Sequence, residues 1–120
     1  MTERLGYLQL CADRRYHRKT MQAFERVTGL RPDEYWIEAR AGGAASWNET
    51  TRASRLASRE GATHMGWAGH GDSCGGFPGE SNQELRRKLE RTARKRMGDF
   101  PRATHYLLFG EGGDIEVARL

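Results

Sequence analysis

Residues 63–76, THMGWAGHGDSCGG, join an apolar run to a glycine-rich turn that contains a histidine and a cysteine. The apolar run has the length of a buried strand, and the glycines that follow are typical of a strand end. His70 and Cys74 therefore lie just after a predicted strand. Cys11, the only other cysteine, has the same position after the apolar run at 5–10. Two thiols and an imidazole are donor types that zinc prefers, so these three side chains are candidate zinc ligands.

Outward from this turn, strand-like runs alternate with amphipathic helical segments. The residues at 81 and 84 have capping-box spacing at the start of one helix. Those at 46 and 49 have it at another, for which Ser46 or Asn48 is the predicted cap. On the first helix, Met21, Phe24 and Val27 are expected to share the buried face. The predicted strands are 5–10, 34–39, 63–68 and 104–109, the predicted helices are 16–28, 46–60 and 81–97, and 115–118 is a candidate short edge strand.

This alternation predicts an α/β protein with a three-layer α/β/α architecture. Strands that alternate with helices form a mostly parallel sheet covered on both faces, and right-handed crossovers limit its topology. We expect four parallel strands in the order 2-1-3-4, with the candidate edge strand at the C-terminus. The chain would then reverse direction between strands one and three, where ligands bind at the carboxyl ends. Cys11, His70 and Cys74 would meet at that place.

Length and composition limit the class of protein. The 120 residues predict a single domain over 1–120, and 30% of them are charged. No apolar run approaches the roughly 18 residues of a membrane span, and the N-terminus has no signal-peptide pattern. We therefore expect a cytoplasmic protein without membrane association. In a reducing compartment two cysteines favour metal binding or burial over a disulfide.

Three protein ligands leave one coordination position of zinc open, which is the pattern of catalytic sites. Asp13 and Arg15 follow Cys11 in the same turn. The carboxylate could bind the metal or accept a hydrogen bond from metal-bound hydroxide, and a paired guanidinium would hold it ionised and away from the metal. A buried cysteine or a histidine after a strand is often purely structural. The joint arrangement at adjacent strand ends favours a metal site.

These residues resemble motifs of the β-carbonic anhydrases. Residues 11–15, CADRR, match the Cys-x-Asp-x-Arg segment of that family, and 69–76 resemble its Gly-His-x-x-Cys-Gly-Gly segment. Residues 40–43 and 105–109 are looser matches to its second loop and its last strand. Three residues separate His70 from Cys74 where the family has two, and we expect the flexible Gly71 to absorb the difference.

The resemblance implies a zinc enzyme that interconverts carbon dioxide and bicarbonate through attack of zinc-bound hydroxide. Cys11, His70 and Cys74 would be the zinc ligands, and Asp13 and Arg15 the catalytic pair that orients the attacking group. It also implies a homodimer or a higher homo-oligomer.

Two alternatives stay open. Relatives of this fold hydrolyse carbon disulfide or carbonyl sulfide with the same ligand set. A non-catalytic zinc protein could instead contact nucleic acid through the helix at 81–97, which carries seven basic residues in a chain of net charge +4. That helix has no aromatic residue for base stacking, so we expect its basic face to be solvated and do not expect a nucleic-acid partner.

Overall fold

A computed structural model describes residues 4–120 as a five-stranded sheet in the order β2-β1-β3-β4-β5. The first four strands are parallel, and β5 runs antiparallel to β4. The predicted fold class is confirmed, including the edge strand at the C-terminus. The strands are β1 (Gly6–Leu10), β2 (Tyr35–Ala39), β3 (His64–His70), β4 (Thr104–Glu111) and β5 (Asp114–Arg119).

Capping signals in the sequence correctly predict where one of the three helices ends and where another begins. They are α1 (His17–Thr28), α2 (Arg52–Arg59) and α3 (Asn82–Asp99). Gly29 ends α1 in the left-handed region with φ 76°. Ser81 caps α3, where its hydroxyl accepts a hydrogen bond from the Glu84 backbone N–H at 3.2 Å. Gly29 thus sets the end of α1, and Ser81 sets the start of α3.

The start of α2 differs from the prediction. Thr51 is the N-cap, and its hydroxyl accepts a hydrogen bond from the Ser54 backbone N–H at 3.0 Å. Ser46, the predicted cap, instead donates to the Gly43 carbonyl at 2.7 Å and closes a 3₁₀ turn over Gly43–Ser46. The capping-box spacing at 46 and 49 was misleading because this stretch packs against the end of β3 rather than opening a helix.

Apolar side chains fill two layers, one on each face of the sheet. Alternate residues of each strand belong to opposite layers, as period-2 geometry requires. The layer on the α1 side includes Leu8, Phe24 and Leu108, and the layer on the α3 side includes Trp67 and Leu89. Each helix is therefore held by the strand residues that face it.

The predicted buried face of α1 is partly wrong. Phe24 is fully buried, but the side chain of Val27 is 41% exposed, and Thr20 and Ala23 are buried instead. The helix is rotated so that small residues lie against the sheet. Within residues 4–120, no helix combines the length and the apolar character needed to cross a membrane. The assignment of 1–120 to one domain stays a prediction.

Candidate metal centre

The three predicted ligands meet at the carboxyl ends of two neighbouring parallel strands. β1 and β3 pair with Gln9 opposite Trp67, so the chain leaves both strands at the same edge of the sheet. Cys11 directly follows β1, His70 is the last residue of β3, and Cys74 lies in the turn beyond it. One donor atom from each of the three lies within 4.8 Å of the other two, and all three residues are buried. The convergence that the topology predicts is therefore present.

The imidazole of His70 is held in one orientation by two contacts. Its Nδ1 lies 2.7 Å from the Gly71 carbonyl oxygen, which can only accept, so Nδ1 carries a proton. The other ring nitrogen, Nε2, lies 3.2 Å from the Cys11 sulfur. The ring also stacks on Tyr16, with centroids 5.0 Å apart and planes at 19°. A backbone contact to Nδ1 that turns Nε2 toward the other donors is the arrangement found around metal-bound histidines.

The two thiols differ in acidity. Burial raises the pKa of Cys11, but hydrogen bonds from His70 and from the backbone N–H groups of Asp13 and Gly42 outweigh it and bring the pKa to about 7. Burial also raises the pKa of the Cys74 thiol, and the nearby Cys11 adds to the rise. Two thiolates this close repel each other in a buried site. A divalent cation would relieve that repulsion, so the donor set fits zinc.

Asp13 and Arg15 form a bidentate ion pair beside these donors. Arg15 donates from Nε to Asp13 Oδ1 at 3.1 Å and from Nη2 to Oδ2 at 2.9 Å. This hydrogen bonding lowers the pKa of Asp13 to about 2, against an opposing effect of burial, so the carboxyl is ionised at neutral pH. Asp13 Oδ2 lies 3.5 Å from His70 Nε2, which places the carboxylate at the edge of the donor cluster.

The three-residue spacing between His70 and Cys74 is accommodated by a strained turn. Asp72 has φ 57° and Ser73 has φ 67°, both in the left-handed region, whereas Gly71 does not have a positive φ. The expectation that Gly71 absorbs the additional residue is therefore wrong. A Cβ on Gly71 would lie 2.5 Å from the Asn82 side-chain oxygen, so a larger residue there would displace the Asn82 side chain.

The loop after β2, residues 40–43, which resembles the second loop of the family, also contacts the site. A Cβ on Gly43 would overlap the Ala68 carbonyl oxygen, and a Cβ on Gly76 would overlap the Gly42 backbone. The three loops after β1, β2 and β3 thus interlock through glycine backbones. The side chain of Arg40, the first residue of this loop, lies over the Trp47 ring, with its guanidinium carbon 5.0 Å from the ring centroid.

Sequence reasoning missed two side chains that complete the surroundings of the donors. Tyr16 stacks on His70, and Asn82 donates to the Asp72 carboxylate at 3.2 Å. Both lie at helix starts, where the sequence pattern indicates only a helix boundary. Neither carries a motif, because their role depends on how α1 and α3 dock on the sheet.

The fold is similar to that of β-carbonic anhydrases. A solved structure of β-carbonic anhydrase isoform I from Trichomonas vaginalis is similar, with a TM-score of 0.51 and 14% sequence identity, over 96% of this chain and 82% of that one. A carbonic anhydrase from Streptococcus mutans gives a TM-score of 0.48 and 15% identity, over 98% and 84% of the two chains. No protein-family model and no curated protein matches the sequence.

Proposed function

We propose that this protein is a zinc-dependent carbonic anhydrase, a lyase that hydrates carbon dioxide reversibly to bicarbonate. One observation carries the proposal: Cys11, His70 and Cys74 converge beside the Asp13–Arg15 pair at the switch point of a β-carbonic anhydrase fold. The thiol and imidazole donors would hold the metal, and three protein ligands leave room for a small reactant. When bound, zinc supplies a Lewis acid that activates water as a nucleophile.

Asp13 would orient the attacking water. A carboxylate with a pKa of about 2 is a poor proton acceptor at neutral pH, since an effective general base has a pKa near the working pH. Its oxygens instead accept a hydrogen bond and so fix the direction of the attacking lone pair. The Arg15 fork keeps the carboxylate ionised and restrains its movement toward a cation. The proton released by the reaction would leave to solvent or buffer.

Substrate and assembly extend the proposal. Carbon disulfide and carbonyl sulfide are linear like carbon dioxide, so hydrolysis of either is the second candidate.

We also propose a cytoplasmic homodimer or higher homo-oligomer. An interface between copies is supported by β2, an edge strand on which the side chain of Ile37 is 45% exposed.

A role in nucleic-acid binding is less well supported. Three basic side chains of α3 are engaged in ion pairs, including Arg86 with Glu116 at 2.6 Å and Lys88 with Glu80 at 3.1 Å. Cations paired in this way are less available to phosphates, and nucleic-acid contacts of that kind would weaken steeply with salt.

The proposal is tested by metal analysis together with stopped-flow hydration of carbon dioxide. We expect about one zinc per chain, lost in Cys11→Ser and in Cys74→Ser. Asp13→Asn should keep its zinc and lose about 10²–10³-fold in hydration rate, the usual effect of removing one preorganised hydrogen-bonding group. Asp33→Asn, at an exposed carboxylate, is the matched control.

The outcomes separate the candidates. Purified protein that takes up no zinc contradicts the metal site. Zinc-loaded protein that hydrolyses carbon disulfide or carbonyl sulfide but does not hydrate carbon dioxide supports the second candidate. Activity of Asp13→Asn equal to that of the control would remove Asp13 from the mechanism.

A further inference from the structure

Asp72 occupies the middle of the turn that joins two of the candidate metal ligands, yet its carboxylate faces away from them. It belongs to a network that connects three other parts of the chain. We propose that Asp72 is a positioning residue, whose carboxylate fixes the turn between His70 and Cys74 in the conformation that brings both donors to the metal. The inference rests on the proposed zinc site and assigns a role within it.

Three donors from different elements converge on the Asp72 side chain. The Tyr16 hydroxyl donates to Oδ2 at 2.5 Å, and the Gly112 backbone N–H donates to the same oxygen at 2.8 Å. The Asn82 amide donates to Oδ1 at 3.2 Å, and its own oxygen accepts from the Asp72 backbone N–H at 2.6 Å. The turn is thereby tied to the start of α1, the start of α3 and the β4–β5 hairpin. With its oxygens so occupied, Asp72 is an anchor rather than a ligand.

The backbone of the turn needs such an anchor. Asp72 and Ser73 are consecutive residues in the left-handed region, which is unfavourable for residues other than glycine. This conformation points their two carbonyl oxygens at Arg15, which donates to both at 3.0 Å. A strained conformation persists only where surrounding contacts determine it, and here they come from the Asp72 carboxylate and from Arg15. Without the carboxylate, Cys74 would lose one of the constraints that hold its sulfur near Cys11.

The same anchor acts on His70 through Tyr16. The Tyr16 hydroxyl is held by Asp72 and accepts from the Gly113 backbone N–H at 3.1 Å, while its ring stacks on the His70 imidazole. On its other side, His70 donates to the carbonyl of Gly71, the residue directly before Asp72. Asp72 therefore restrains both ligands, one through the turn backbone and one through an aromatic ring.

The test is cobalt binding by the full-length chain with Asp72→Gly. Glycine adopts positive φ without strain, so this substitution removes the carboxylate and leaves the turn free to take the same backbone conformation. Cobalt(II) reports both affinity and ligand set, because thiolate ligands give intense charge-transfer absorption. We expect cobalt affinity 10–100-fold below that of the unmodified chain, with altered charge-transfer bands at saturation, as is usual when an outer contact of a ligand is removed.

The matched control is Asp114→Asn, which changes an exposed carboxylate on the β4–β5 hairpin. It should bind cobalt like the unmodified chain. Urea unfolding of the metal-free proteins is measured in parallel. If Asp72→Gly does not fold, Tyr16→Phe is measured in its place. Tyr16→Phe removes the hydroxyl that donates to Asp72 and keeps the ring against His70. This variant should also bind cobalt more weakly and show altered charge-transfer bands.

The results distinguish this inference from the proposed function. Weaker cobalt binding and altered bands in Asp72→Gly, with Asp114→Asn unchanged, support the positioning role. Affinity and spectrum equal to those of the unmodified chain overturn that role and leave the metal site intact. An unmodified chain that binds neither cobalt nor zinc overturns the proposed function and this inference together.

Discussion

Gly43→Ala tests how tightly the loop after β2 closes on the candidate metal centre. Gly43 has φ 65°, and a Cβ there would overlap the Ala68 carbonyl oxygen and lie 3.1 Å from the Cys11 backbone nitrogen. These are backbone atoms at the ends of β3 and β1, so they cannot move aside as a flexible side chain would. Gly43→Ala therefore lowers the free energy of unfolding in two ways. The conformational part comes from the positive φ, and the steric part comes from the overlap.

Gly61→Ala isolates the conformational part. Gly61 has φ 96°, and apart from its chain neighbours nothing within the described part of the chain lies within 4 Å of a Cβ built there. Positive φ costs a residue other than glycine about 1–2 kcal/mol, and this cost, like the entropy of the unfolded chain, applies to both substitutions. The difference between them is the steric part, which for overpacked sites is about 1–3 kcal/mol.

The assay is urea unfolding of both metal-free variants, followed by tryptophan fluorescence, with the m-value checked for two-state behaviour. Gly43→Ala should be less stable than Gly61→Ala by the steric part. It should also bind cobalt more weakly, because Gly42 next to it donates a backbone hydrogen bond to the Cys11 thiol. Equal stability losses in the two variants would refute the close packing of this loop against the strand ends.

Three further results are expected. Burial lowers the pKa of His105 below its usual 6.5, only partly offset by its hydrogen bond to the Phe100 carbonyl. As pH falls, the His105 imidazole is therefore protonated in the unfolded chain before it is protonated in the folded one, and stability falls as pH drops below about 6.5. The slope of unfolding free energy against pH should be smaller in His105→Gln. Equal slopes in the two proteins would contradict this prediction. Ser73→Gly should stabilise the chain by about 0.5–1 kcal/mol, since relief of its φ of 67° exceeds the added entropy of glycine, and a lower urea midpoint would count against strain at this turn. Phe24→Ala should cost about 3–5 kcal/mol in urea unfolding because this fully buried ring fills the α1 layer, and a loss below 1 kcal/mol would mean that the layer is loosely packed.

Much of the fold and most of the candidate site followed from the sequence. The alternation of apolar runs with amphipathic segments is local, and so are the capping signals at Gly29 and Ser81, which set the end of α1 and the start of α3 where predicted. Right-handed crossovers limit the strand order, and the order 2-1-3-4, expected as a common one for this class, is the order that the first four strands have. That order places Cys11 next to His70, at the carboxyl ends of two neighbouring strands.

Local signals were insufficient where two possible local structures compete. Ser46 and Thr51 both offer N-cap chemistry, and Thr51 is selected because its hydroxyl also reaches Glu38 on β2. The rotation of α1 that exposes Val27 is likewise set by docking, since the helix pattern allows several neighbouring faces to be buried. In both cases contacts distant in sequence decide between local structures of similar energy.

The sequence by itself determined the α/β class and the identity of the candidate ligands, because these depend on residue type and periodicity, whereas the handedness of crossovers only limited the strand order. Only the tertiary structure decided how the turn after His70 is built. Its two left-handed residues are unfavourable in isolation, and they become stable only when Arg15 and the partners of the Asp72 carboxylate arrive from other elements. A conformation that is stabilised by distant contacts cannot be read from the stretch of chain that adopts it.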